Sequence, residues 1–236
     1  MNLNDFTSSK KTKPKIKTIW IILGIVLAII VIASGIYGYI CFKEKTCLKP
    51  EPQPTVDKKP AIYLYPTEDS IINVKLKING EIIKDIPSYN ESWKVFATKN
   101  GEIYFDNLKY DYLFYEARLN KLEIPKDGFV VEYNDLENWL NINLTKLGLN
   151  NKEKKEFINY WLMQLPKSKY YEIKILEKDF LNKNMGLDIT PKPDTVIRIN
   201  LYFKPLEQKI NLNSPVIETP IRRGFTVIEW GGILDN

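Results

Sequence analysis

The stretch Ile72-Asn73-Val74-Lys75-Leu76-Lys77-Ile78-Asn79-Gly80 decides the fold class. Apolar and polar residues alternate through it: Ile72, Val74, Leu76 and Ile78 share one face, and Asn73, Lys75 and Lys77 the other. That period of two belongs to a half-buried strand. Asn79-Gly80 is the dipeptide favoured by two-residue hairpin turns, whose central positions need positive φ. An apolar run follows to Ile86, so the expectation is a β-hairpin in an antiparallel sheet.

Outward from there the strand signals continue. Ala61 to Tyr65 reads as a strand stopped by Pro66. Trp93 to Thr98 turns at Lys99-Asn100-Gly101 and returns through Ile103 and Phe105. Tyr110 to Arg118 is an aromatic-rich strand, and Phe129 to Val131 follows the turn Pro125-Lys126-Asp127-Gly128. The period then changes. Leu136, Trp139, Leu140, Leu144 and Leu147 fit a helix opened by Asn134 or Asp135 and closed by Gly148. Asn150 with Glu153 forms a capping-box pattern that opens a second helix, with Phe157, Ile158, Trp161, Leu162 and Leu165 inward and Pro166 at its end. The short link at Gly148 to Asn150 makes the two an antiparallel helical hairpin. Strands resume at Tyr170–Leu176, Thr195–Phe203 and Gly224–Trp230, and no internal repeat is visible. The fold class expected is α+β: a mostly antiparallel, β-rich, sandwich-like domain with an inserted αα-hairpin, preceded by one transmembrane helix.

The transmembrane reading rests on Ile19 to Phe42, which contains no charged residue. About 20 apolar residues cross the hydrocarbon core as a helix. Trp20 stands at one end and Tyr37 and Tyr39 near the other, where amphipathic rings prefer the headgroup level. Lys10, Lys11, Lys13, Lys15 and Lys17 crowd the first flank. The second flank has Lys43, Lys45, Lys49, Lys58 and Lys59, diluted by Glu44, Glu51 and Asp57. The expected organisation is a basic cytoplasmic tail over 1–18, the span over 19–42, a proline-rich spacer over 43–59 and an extracytoplasmic domain over 60–236. Cleavage after a small-residue site at Ala33-Ser34-Gly35 is the weaker alternative to an uncleaved anchor.

Composition removes several chemistries. The chain has no histidine among its 236 residues, which excludes Ser-His-Asp and Cys-His mechanisms and most zinc sites. Its 34 basic and 29 acidic residues look unbalanced until the tail is set apart. Those five tail lysines and Asp5 leave 29 basic and 28 acidic residues from 19 onward. No clustered basic face is implied, and no nucleic acid is expected as a partner. The two cysteines, Cys41 and Cys47, lie beside the span, where a disulfide, a link between copies or a lipid are all open. No cofactor and no metal site is expected; Asp188 and Asp194 lack the dense spacing of a calcium loop.

The order of motifs also resembles a family of bacterial proteins of unknown function. The resemblance is carried by Lys59-Pro60-Ala61-Ile62-Tyr63-Leu64-Tyr65-Pro66, Tyr112-Leu113-Phe114-Tyr115-Glu116, Gly128-Phe129-Val130-Val131 and Leu147-Gly148-Leu149. It continues through Tyr160-Trp161-Leu162 and Pro191-Lys192-Pro193-Asp194, and ends with Arg223-Gly224-Phe225-Thr226-Val227-Ile228-Glu229-Trp230-Gly231-Gly232. Relatives often carry tryptophan in place of Tyr115 and glycine in place of Ala117. The resemblance implies one intact domain from Lys59 and brings no activity, ligand or catalytic residue with it.

Without histidine, acid–base work falls to carboxylates. Glu116 and Glu229 each sit within an aromatic strand, where desolvation raises a carboxyl pKa, and such a pair flanking a groove performs glycoside hydrolysis. They are the candidate catalytic residues. Against this, Glu229 shares a strand face with Phe225 and Val227, so it points inward and needs a partner such as Arg198, Arg222 or Arg223. Arg198, Arg222, Arg223 and Trp230 are the candidate ligand-binding residues. Trp93, Tyr112, Phe114 and Tyr115 are either a sugar-stacking platform or core. The preferred reading is a non-catalytic surface module that contacts the bilayer through 19–42 and a cell-wall polymer or protein through its domain. The alternative is a carboxylate-dependent hydrolase acting on a surface glycan.

Overall fold

The computed structural model describes residues 16–44 and 55–235, and the chain divides into two compact units between Gln53 and Pro54. In the first unit, helix α1 spans Ile16–Glu44. Its Trp20–Tyr37 window has a mean hydropathy of 2.6, long and apolar enough to cross a membrane. Most of the basic tail, the three prolines of the spacer and Cys47 lie outside the described residues.

Among the described residues the second unit contains twelve strands and three α-helices: β1 Thr55–Tyr65, β2 Ser70–Ile78, β3 Gly80–Ile86, β4 Trp93–Ala97, β5 Ile103–Phe105, β6 Leu108–Tyr110, β7 Leu113–Leu119, β8 Phe129–Glu132, α2 Leu136–Lys146, α3 Asn151–Gln164, β9 Tyr170–Leu176, α4 Lys178–Asn184, β10 Met185–Thr190, β11 Thr195–Leu206 and β12 Thr226–Leu234. A seven-stranded sheet runs β3-β7-β1-β12-β11-β9-β8, and a five-stranded sheet runs β10-β2-β4-β5-β6. Among the described residues only β11 and β12 pair in parallel. The β-rich α+β expectation therefore holds, and the Asn150–Glu153 capping box opens α3 as its pattern predicts.

One local expectation fails. Residues 79–80 do not close a hairpin, because β2 pairs with β10 and β4 while β3 pairs with β7 in the other sheet. The Asn79 carbonyl accepts from the Asn120 amide at 3.0 Å, and its own amide donates to the Asn184 carbonyl at 2.9 Å. These long-range bonds pin a corner between the two sheets. Gly80 turns it at φ +153°, with the space for a Cβ filled by the Arg118 carbonyl oxygen only 2.1 Å away. The expected strand from Tyr110 to Arg118 breaks in the same way at Asp111-Tyr112, with β6 in one sheet and β7 in the other. β1 also begins at Thr55 and takes in five residues that composition assigns to the spacer.

The alternation of the central strands builds two cores. Ile62 and Leu64 of β1 and Val227 and Ile233 of β12 join Ile72, Val74, Trp93, Val95 and Tyr115 between the sheets. Ala61, Tyr63, Ile228 and Trp230 turn the opposite way and pack with Leu140, Leu144, Phe157 and Trp161 of the helical pair. The domain is thus three layers: five-stranded sheet, seven-stranded sheet, helices. Trp161 lies so close to β12 that a Cβ on Gly232 would meet its ring at 2.5 Å.

Candidate functional site

The seven-stranded sheet presents its two faces very differently near the middle of β1. A bulge is the cause. Pairing of β1 with β12 shifts register between Lys58 and Ala61, and with β7 between Asp57 and Ala61. Lys59 occupies the left-handed region at φ +51°, a conformation that an L residue adopts at a penalty of roughly 1–2 kcal/mol. Asp57 is sent to the inner face, between the sheets, and Lys59 to the outer face beside the helices.

On the inner face, Glu229 is 2% exposed and forms an ion pair with Arg198 Nε. Tyr115 donates its hydroxyl to Glu229 Oε1 at 2.8 Å, and Arg198 Nη2 donates to the Met185 carbonyl. Beside them Asn200 Nδ2 donates to Asp57 Oδ1 at 3.0 Å. Burial raises Asp57 well above the usual carboxylate range; the Asn200 hydrogen bond opposes this and Glu229 reinforces it. Burial by itself would depress the Arg198 guanidinium, but Glu229, Tyr115 and Asp57 more than offset that and hold it raised. Burial, with Glu229 and Asp57, likewise raises the Tyr115 phenol. The consistent charge state is one cation, one anion, a neutral phenol and a neutral Asp57. Asp57 Oδ2 and Asn200 Oδ1 are both buried acceptors without a partner among the described residues. A proton on Asp57 gives this pair the donor it lacks, which is why a neutral acid is the cheaper state here.

On the outer face a groove of about 630 Å³ opens, bordered by Lys59, Lys84, Tyr112, Phe114, Glu116 and Tyr160. The Lys59 ammonium lies 4.8 Å from the Tyr160 ring centroid, 5.5 Å from Tyr112 and 5.6 Å from Trp230. Lys84 lies 5.3 Å from the Phe114 ring. Aromatic faces attract a cation without neutralising it. Burial, with Glu116 and Asp57 adding to it, pushes the Tyr160 phenol up to about 12, so that ring stays neutral. Two other charges of the lining are answered: Lys109 pairs with Glu102 at 2.5 Å and Asp111 with Lys152 at 3.0 Å. Lys59, Lys84 and Glu116 form no ion pair among the described residues.

The residues singled out by sequence scatter accordingly. Glu229 and Arg198 are brought together, as a structural pair. Glu116 and Glu229 are not: they lie on opposite faces of one sheet and cannot flank one substrate. Arg222 is spent on structure, in an ion pair with the fully buried Glu153, a 2.7 Å bond to the Gly148 carbonyl and a stack on Tyr65. Arg223 is exposed, and its amide donates to Thr195 Oγ1 at 2.9 Å. Trp230 is wholly buried, set edge-on to Phe157 at 5.3 Å, so it acts only as a floor beneath Lys59. Trp93 and Tyr115 are core, whereas Tyr112 and Phe114 do reach the groove. Asp188 pairs with Lys77 at 2.6 Å and Asp194 accepts the Phe225 amide at 2.7 Å. Sequence reasoning missed Asp57, Lys59, Lys84 and Tyr160. Lys58-Lys59-Pro60 reads as spacer, and no local pattern announces a bulge that pairing with two other strands creates.

Fold and site together define a three-layer β-sandwich domain with a cationic aromatic groove, in a chain that also carries one helix apolar enough to cross a membrane. No family model matches the chain, and no solved structure matches it. It is 48% identical over 64 residues to the "Uncharacterized protein in bglA 3'region" of Butyrivibrio fibrisolvens, a stretch covering 26% of this chain and 67% of that protein. The chain belongs to the family of that protein.

Proposed function

We propose that the chain is a single-pass membrane protein, N-terminus in the cytoplasm, that displays a non-catalytic binding domain at the cell surface. The domain engages a cell-wall polymer or a protein partner through the groove at Lys59. The observation that carries this reading is the contrast in charge pairing: Lys109 and Asp111 of the groove's lining are ion-paired, while the ammoniums of Lys59 and Lys84 rest on aromatic rings. Ring-held charge is ordered yet remains available to a ligand. Hydrolysis by paired carboxylates loses its main support, since Glu116 and Glu229 face opposite sides of the sheet.

Two measurements test this. Protease added to intact cells should remove the domain; full protection would invert the topology. The 236-residue chain in nanodiscs should be retained on isolated cell wall or a surface protein, and Tyr112→Asp should abolish retention. Soluble wall fragments released by the wild-type chain would instead make it an enzyme.

A further inference from the structure

The groove's chemistry narrows its ligand, an inference that rests on the binding reading above. Lys59 and Lys84 present two positive charges, each held over aromatic carbon. The Lys59 ammonium also occupies the faces of Tyr112 and Tyr160, so those rings fix a cation here and do not serve as free stacking platforms. A neutral sugar would leave two ammoniums sharing one carboxylate, Glu116, the cross-strand neighbour of Lys84. The surplus positive charge would be unanswered after its water is displaced, which is unfavourable. A bare inorganic anion fits no better, because Glu116 lines the same groove and repels it. A ligand that satisfies all three must carry anionic groups for the lysines and hydroxyl donors for the carboxylate. Gln164, the last residue of α3, also lines the groove and adds an amide that both donates and accepts. Hydroxyl-rich polymers with regularly placed anionic groups have this composition.

We propose that the groove binds an anionic, hydroxyl-bearing polymer (a polymer of sugar acids or of polyol phosphates), with Lys59 and Lys84 receiving its acid groups and Glu116 accepting from its hydroxyls. The acid groups can be carboxylates or phosphates, as both satisfy an ammonium in the same way.

The test titrates the 236-residue chain in zwitterionic nanodiscs with three polymers of similar length. They are polygalacturonate, poly(glycerol phosphate) and a neutral glucan, each at two salt concentrations. At least one acidic polymer should bind, more weakly at high salt, and the neutral glucan should not. Polygalacturonate alone binding would name carboxylate as the acid group, and poly(glycerol phosphate) alone would name phosphate. Lys84→Gln, on an exposed strand position, should lower affinity by about tenfold, the scale of one charge-assisted hydrogen bond. Equal binding of the neutral glucan would overturn the anionic inference and keep the binding role. Binding of an acidic polymer unaffected by Lys84→Gln and by Lys59→Gln would place it elsewhere on the surface and overturn the site. If none of the polymers binds, this inference fails, and the broader role then depends on the retention experiment with whole wall and surface protein.

Discussion

The inner and outer faces of the seven-stranded sheet treat charge in opposite ways within a few residues of each other. Between the sheets, Glu229 pairs with Arg198 and Tyr115, and Asp57 with Asn200. Arg198 Nη1, Asp57 Oδ2 and Asn200 Oδ1 find no partner among the described residues, and Arg198 is the most exposed side chain of the five at 10%. On the helix-side face, Lys59 and Lys84 rest on rings and form no ion pair among the described residues, although Glu116 lines the same groove. Buried charge must be matched where it lies, because desolvation of an unmatched ion is prohibitive. Half-exposed charge can be positioned and left unmatched, because water serves until a ligand replaces it. The first arrangement marks structure, and the second is what the proposed binding role rests on.

The largest effect should come from breaking the inner pair. Arg198→Met strands Glu229 in a closed interior and should cost about 3–5 kcal/mol of stability. The double variant Arg198→Met with Glu229→Leu removes both charges and should recover most of that loss. Urea unfolding of the chain in micelles, followed by tryptophan fluorescence, reads both. An Arg198→Met loss as small as a surface substitution, about 0.5 kcal/mol, would erase the contrast between the faces.

Next in size is the helical layer that shapes the groove's far wall. A Cβ on Gly232 would stand 2.5 Å from the Trp161 ring and 2.6 Å from the Leu201 carbonyl oxygen. The ring can tilt but the backbone oxygen cannot, so Gly232→Ala should cost about 1–3 kcal/mol. Trp161 packs on Tyr160 at 5.4 Å, so the same variant should also disturb Lys59's cage and weaken ligand binding. Lost stability with untouched binding would separate the groove from the core beneath it.

How far the sequence reveals this arrangement depends on the range of the interactions involved. The α2–α3 pair and the second hairpin are legible because capping, periodicity and the turn at Asn100-Gly101 are local. Glu229's inward direction is legible too, from two-residue alternation with Phe225 and Val227. Asn79-Gly80 misleads because the same dipeptide serves a corner when the following strand finds another partner. Lys59 is invisible for a related reason. Its direction comes from a register shift set jointly by β7 and β12, more than fifty and more than a hundred residues away in sequence.

A smaller effect, best seen against pH, distinguishes Asp57 from its charged neighbours. Its folded pKa is raised above the unfolded value of about 3.9. The folded state therefore holds the proton more tightly, and stability contributed by the neutral acid declines as pH rises from about 4 through the folded pKa. Asp57→Asn stays neutral and can give Asn200 an amide donor, so this decline should vanish. Glu102, held low by Lys109, pulls the other way at the surface. The difference between wild type and Asp57→Asn cancels that contribution. Parallel stability curves from pH 4 to 8 would mean that Asp57 is ionised inside the sandwich.

The smallest expected effect on stability is the one that completes the comparison. Lys84 is exposed on β3, an edge strand, and its one cation–π contact is the 5.3 Å approach to Phe114. Such a contact at an exposed site contributes about 0.5–1 kcal/mol, so Lys84→Gln should unfold within about 1 kcal/mol of the wild type. Arg198 and Lys84 are thus both cations on strands of one sheet, with opposite expectations. Removing the first should damage the fold, and removing the second should damage ligand capture while the fold persists. A Lys84→Gln loss approaching that of Arg198→Met would mean that the outer charge is structural as well, and the groove would lose its claim to be built for a ligand.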